Sequence, residues 1–159
     1  MPSYHLNSDN GLPSDHIYSL MTDRNGYLWI CTEKGVVTYT GYECKLFSTV
    51  DGLPTDDVWG AVEDLHGRIW LAGISNEVGY ILNDKYYKAV LKGISGTISP
   101  FSLLRYDSGV IFCSPYINGN HITTICIARH DTVFPFTPTQ KMLKMRAEDF
   151  QIFESPHIF

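Results

Sequence analysis

Short runs rich in Val, Ile, Thr, Tyr and Trp recur along the chain, each closed off by Gly, Pro, Asn or Asp. This pattern predicts strands joined by tight turns, and the 3.6-residue periodicity of amphipathic helices is missing from the runs. The first set of strands is expected at 16–22, 27–32, 36–40 and 43–48. A second set follows at 58–63, 68–72, 78–82 and 86–90, and a third, less regular one at 101–106, 110–114, 122–128 and 132–134.

The first two sets are copies of one unit. NGLPSDHIYSLMTDRNGYLWICT, beginning at Asn10, superimposes without a gap on DGLPTDDVWGAVEDLHGRIWLAG, beginning at Asp51, at an offset of 41. Gly11 matches Gly52, Pro13 matches Pro54, Asp23 matches Asp64, Gly26 matches Gly67 and Trp29 matches Trp70. A period near 41 with strand-forming residues fits a four-stranded propeller blade, whereas helical repeats of similar length need two long amphipathic helices per unit. A degenerate third copy places Gly109 under Gly67 and Phe112 under Trp70 at an offset of 42, with Asp107 displaced and Ser99-Pro100 as a remnant of the leading turn. The expected fold is all-β: a partial β-propeller of about three four-stranded antiparallel blades plus a tail. Blade 1 covers about 10–50, blade 2 about 51–92 and blade 3 about 97–135; 136–159 is a tail or the start of a fourth.

Each repeated residue has a physical role in this reading. Gly and Pro fix the backbone of the leading turn, and its Asp bonds nearby amides. Asn25-Gly26 is a strong hairpin signal, and Asp23 and Asp64 stabilise the same turn in successive blades rather than forming a pair of catalytic acids. Trp29 and Trp70 are expected to pack between blades and not to serve as sugar platforms.

Composition narrows the function. The chain has 159 residues, is 44% hydrophobic and 18% charged, and carries a net charge of −5. Without a Lys/Arg cluster it lacks the footprint of a nucleic-acid binder. No apolar run is long enough for a membrane helix, so this segment is expected to make no membrane contact. The first residues do not read as a secretory leader, so either the protein is cytosolic or a leader preceded this segment. Cys31, Cys44, Cys113 and Cys126 lack metal or redox spacing and read as small hydrophobes. Cys31 and Cys44 would lie two strands apart, about 10 Å, beyond the roughly 7 Å that a disulfide spans.

Candidate chemistry is sparse. His5, His16, His66, His121, His130 and His157 include no i, i+4 metal pair, and Gly93-x-x-Gly96 lacks the Lys of a phosphate loop. Ser14-Asp15-His16 has the residue types of a catalytic triad, but sequence neighbours cannot adopt its geometry. No catalytic residue, metal or cofactor is expected. His16 and its repeat partner Asp57 are candidates for a pocket at the mouth of the axis, although a solvated turn accounts for His16 as well. Tyr86, Tyr87 and Tyr116 are candidates for exposed, ligand-contacting aromatics.

The repeat resembles that of the two-component regulator propeller family, Gly-Leu-Pro-x-x-x-Val, then Asp-x-x-Gly-x-Leu-Trp-Ile-Gly-Thr, then Gly-Leu-x-x-Tyr. Here it stands as Gly11-Leu12-Pro13 with Ile17, then Asp23, Gly26 and Leu28 to Thr32, then Gly35-Val36 and Tyr39. It recurs from Gly52 to Tyr80. The resemblance implies a non-enzymatic, periplasmic sensor region of a histidine kinase or hybrid two-component system, whose ligand is an oligosaccharide or other small molecule. It also implies further blades and a kinase in a longer chain. Ligand binding would shift the arrangement of two protomers and bias the kinase. A stack of three blades would leave two open apolar faces, so self-association through them is expected, unless the tail folds over one. The rival readings are a protein–protein scaffold without a small ligand and, less in keeping with the residues, a propeller lyase with His and Glu clustered at the axis.

Overall fold

The computed structural model describes residues 5–94, 98, 100–106, 109–117 and 120–136; the side chains of 115–117 and 120–124 lie outside that description, as do Asp107, Ser99 and the tail 137–159. The first sheet is formed by β1 (Ile17–Thr22), β2 (Leu28–Thr32), β3 (Gly35–Tyr39) and β4 (Cys44–Phe47), paired antiparallel in chain order. The second is formed likewise by β5 (Val58–Glu63), β6 (Ile69–Gly73), β7 (Gly79–Leu82) and β8 (Lys85–Lys88). The third contains β10 (Ser102–Tyr106), β11 (Gly109–Ile117), β12 (Asn120–Arg129) and β13 (Thr132–Pro135), and takes a fifth strand, β9 (Val90–Leu91), onto its outer edge. The leading strands β1 and β5 lie side by side, as do β5 and β10, so the sheets stack as adjoining blades of a propeller with these strands innermost.

Side-chain alternation builds the inter-blade cores. In blade 1, Trp29, Cys31, Val36 and Phe47 share one face and meet Leu53, Val58, Ile69, Leu71 and Ile81 of the second unit. The opposite face of blade 2, with Trp70 and Tyr80, meets Val110, Phe112, Cys126, Ala128 and Val133 of blade 3. The tryptophans therefore pack between blades, as their repetition predicts. Cys31 and Cys44 fall in different clusters on opposite faces of blade 1.

Three expectations need correction. Phe112 does not take the tryptophan place: it faces back into the same core as Trp70. The β10–β11 hairpin is shorter than its counterparts, since Tyr106 pairs with Gly109 across residues 107–108 whereas Glu63 pairs with Ile69 across 64–68. Gly109 is thus already in a strand, and a one-residue slip reverses the face. The counterpart of Trp70 is Ile111, at the unbroken offset of 41, on the far face with Leu104, Ile127 and Phe134. Second, Val90 does not close the outer strand of blade 2: it pairs in parallel with Thr132, and Leu91 with Val133. Third, the outer face of blade 1 is not bare, because Leu6, Leu12 and Cys44 pack over Ile30 and Val37, which are 2% and 0% exposed.

Candidate functional site

The leading turns are built alike in the first two units. Asp15 accepts hydrogen bonds from the Ser8 amide at 2.7 Å and hydroxyl at 2.8 Å, and Asp56 accepts from the Thr49 amide at 2.6 Å and hydroxyl at 3.2 Å. Ser14 and Thr55 hydroxyls accept the amides of His16 and Asp57, bonds that compete with regular pairing and so hold the chain in a turn just before each inner strand. The Gly35 amide donates to the Asp56 carbonyl and the Gly73 amide to the Pro100 carbonyl, tying each β2–β3-type loop to the leading turn of the next unit.

A β-bulge follows at the same place in both inner strands. Ile17 pairs with Thr32 but Ser19 with Cys31, leaving Tyr18 as the extra residue; Val58 pairs with Gly73 but Gly60 with Ala72, leaving Trp59. A bulge re-aims the side chain it carries. Tyr18 remains 38% exposed and Trp59 partly so, while Phe101, 55% exposed, meets Trp59 edge-on with centroids 5.0 Å apart. These aromatics lie at one end of β1, β5 and β10, the end that carries the leading turns.

Polar groups surround them. His16 packs its ring 4.8 Å from that of Tyr18 and sets Nδ1 3.2 Å from Glu33 Oε2, while the Ser14 hydroxyl donates to Glu33 Oε1 at 2.9 Å. The bonds from Ser14 and then His16 hold the Glu33 carboxyl below its ordinary value. The neighbouring Asp57 carboxylate raises the pKa of the Tyr18 phenol, while Asp57 Oδ1 is buried without a hydrogen-bond partner. The cluster offers aromatic faces, carboxylate acceptors and one imidazole, a set suited to binding a polar ligand. Among the described residues no group of three or more His, Cys, Asp or Glu could hold a metal ion.

His16 and Asp57 are therefore brought to one place. Tyr86 is not with them: it lies on β8, largely covered, its phenol 3.2 Å from Glu77 Oε1, with burial and then Glu77 raising its pKa. Tyr87 faces the other way and stacks on Tyr80 at 5.6 Å. The Tyr116 side chain lies outside the described residues, as do those of His121 and His157. Tyr18, Glu33, Trp59 and Phe101 were missed by residue-type reasoning. The pairing of Tyr18 with Trp59 at the repeat offset was the available signal, but the bulge that exposes them has no sequence mark of its own.

The opposite end of the blades holds a cleft of about 340 Å³ lined by Arg24, Tyr27, Glu63, His66 and Asp84 among others. Its charges are occupied in fastening the blades. Arg24 donates its amide and Nε to Glu63 and a terminal nitrogen to the Asp64 carbonyl. His66 meets His130 of blade 3, ring centroids 5.1 Å apart.

Comparison with known proteins agrees with this architecture. The two-component regulator propeller family matches residues 11–34, from the leading turn of blade 1 through β2 to the loop bearing Glu33. The extracellular domain of the hybrid two-component system BT3049 from B. thetaiotaomicron has a similar structure, with a TM-score of 0.60 and 18% identity over 79% of this chain. This chain covers 17% of that one. No curated protein matches. Residues 11–34 thus match the two-component regulator propeller family, and they stand in an all-β stack of propeller blades.

Proposed function

We propose that this chain forms part of the extracytoplasmic sensor propeller of a two-component signalling protein, and that the leading-turn end of its inner strands binds an oligosaccharide or another small polar ligand. The reading rests on one observation: matching bulges present Tyr18 and Trp59 at that end, beside His16, Glu33 and Asp57. The family match at residues 11–34 supports the sensor context, and the likeness to an extracellular domain supports the fold on which it depends. The segment itself is a binding module rather than an enzyme. Kinase activity and further blades belong to a longer chain in this reading.

The far face of blade 3 supports a need for a neighbour, because Leu104 and Ile125 there are 64% and 44% exposed. Apolar area of that kind is covered in stable assemblies, by the next blade of a longer chain or by a second copy of this one. Binding is tested by thermal shift of the purified chain against a broad glycan panel, with Asp57→Ala and Tyr18→Ala as controls. A ligand-dependent rise in Tm that both substitutions abolish supports the sensor reading. A rise that both leave intact moves the site elsewhere, and no rise across the panel favours a protein-binding scaffold.

A further inference from the structure

The two ends of the blades differ in charge. In the loops at the leading-turn end, Asp9, Asp15, Glu33, Asp51, Asp56 and Asp57 have no Lys or Arg salt bridge among the described residues, and Glu77, paired with Lys88 at 2.6 Å, is the exception there. At the opposite end acids and bases are mixed and joined, as in Arg24 with Glu63, Arg68 with Asp64 and Lys45 with Asp84. Charge of one sign around a site repels ligands of that sign on approach. Lys34 is the base beside Glu33, and it offsets this field only in part.

The hydrogen-bonding inventory points the same way. Ionised carboxylates only accept. Glu33 already accepts from Ser14 and His16, whereas Asp57 keeps one buried oxygen free of any partner. Carboxylates with accepting capacity left over favour hydroxyl donors over further acceptors. The exposed rings of Tyr18 and Phe101, with Trp59 between them in sequence, offer faces for the apolar C–H side of a pyranose ring. A carboxylate or sulfate on that sugar would meet acceptors and no guanidinium or ammonium clamp.

Resting on the proposed site, we infer that the leading-turn end selects an uncharged, hydroxyl-rich oligosaccharide over an acidic one of equal length. Its ring stacks on the bulge aromatics and its hydroxyls donate to the carboxylates beside them.

Isothermal titration of the full chain tests this with two probes: a panel of neutral linear hexasaccharides (gluco-, xylo- and manno-configured) and hexagalacturonate. The expected result is binding of a neutral member with an affinity insensitive to salt, and no binding of hexagalacturonate. Trp59→Ala should then weaken the neutral ligand about tenfold or more, as loss of a stacking aromatic does. Since Trp59 also packs on Phe101, Tyr18→Ala is the second variant, at a more exposed ring. Hexagalacturonate binding as well as or better than every neutral member overturns the selectivity; if Tyr18→Ala then abolishes that binding, the site itself stands. Failure of every saccharide overturns both.

Discussion

Trp70 donates its indole N–H to the carboxylate of Asp64 at 3.0 Å, and Asp64 is 1% exposed. The same carboxylate accepts the amides of His66 and Arg68 and the Arg68 Nε at 2.7 Å. One residue therefore fixes the hairpin turn, orients the tryptophan that joins blades 2 and 3, and neutralises a buried guanidinium. In blade 1, Asp23 bonds the Asn25 and Tyr27 amides and the Trp29 indole, without the arginine.

Asp64→Ala is expected to destabilise the chain by about 3 kcal/mol or more, since it leaves Arg68 buried and unpaired. Asp23→Ala, at a more exposed turn, is expected to cost about 1 kcal/mol. Urea denaturation monitored by tryptophan fluorescence measures both, and equal losses would show that the ion pair with Arg68 contributes nothing extra.

Acid should act through the same residue. Burial raises the Asp64 carboxyl, but the bonds from Trp70, Arg68 and His66 outweigh it and hold the group below its ordinary 3.8. A carboxylate with a lowered folded value contributes fully above its unfolded value and loses that contribution as pH falls through the folded one. Tm is expected to be flat down to about pH 5 and to fall steeply below about pH 4. Asp64→Asn should start lower and show a shallower acid limb. An unchanged limb in that variant would assign the acid sensitivity to other carboxyls.

The register of blade 3, one residue away from the glycine-based alignment, separates two neighbouring positions. Phe112→Trp inserts volume into a closed core and is expected to cost about 1–3 kcal/mol. Ile111→Trp restores the repeat's tryptophan on the partly exposed far face and is expected to change stability by about 0.5 kcal/mol or less. Thermal denaturation of the pair decides between them; the reverse ranking would mean that Phe112, not Ile111, faces outward.

Gly73 offers a different kind of test. A Cβ there would collide with the Asp57 carbonyl, and the Gly73 amide is already committed to Pro100. Gly73→Ala is expected to cost about 2 kcal/mol or more by forcing a backbone shift, and to displace Asp57 as it does so. Ligand affinity should fall along with Tm, whereas Gly60→Ala, whose Cβ would meet only Ser19 at 3.8 Å, should leave both nearly unchanged.

The sequence made most of the fold legible, because the gapless match of Gly11–Thr32 to Gly52–Gly73 carries turn, strand and core chemistry together. It misled at blade 3, where Gly109 resembles the hairpin glycine Gly67 but lies inside a strand. The hairpin loop is three residues shorter, so an alignment on its glycine misplaces the following strand by one residue and reverses the expected face. The candidate site was half visible. His16 and Asp57 stood out as polar residues at the head of inner strands, whereas Tyr18 and Trp59 read as ordinary strand aromatics, since a bulge is a property of pairing between two strands. Tyr86 was misjudged because its neighbour Glu77 reaches it from a loop nine residues away.

The parallel pairing of Val90 and Leu91 with Thr132 and Val133 makes the third blade a lock whose bolt is thrown before the lock is built. Blade 3 waits for residues at its far end to complete an edge begun by residues ahead of it, so it is the least local part of the chain and is expected to close last. A displacement of blade 2 would reach the outer rim of blade 3 through backbone, not only through side-chain packing.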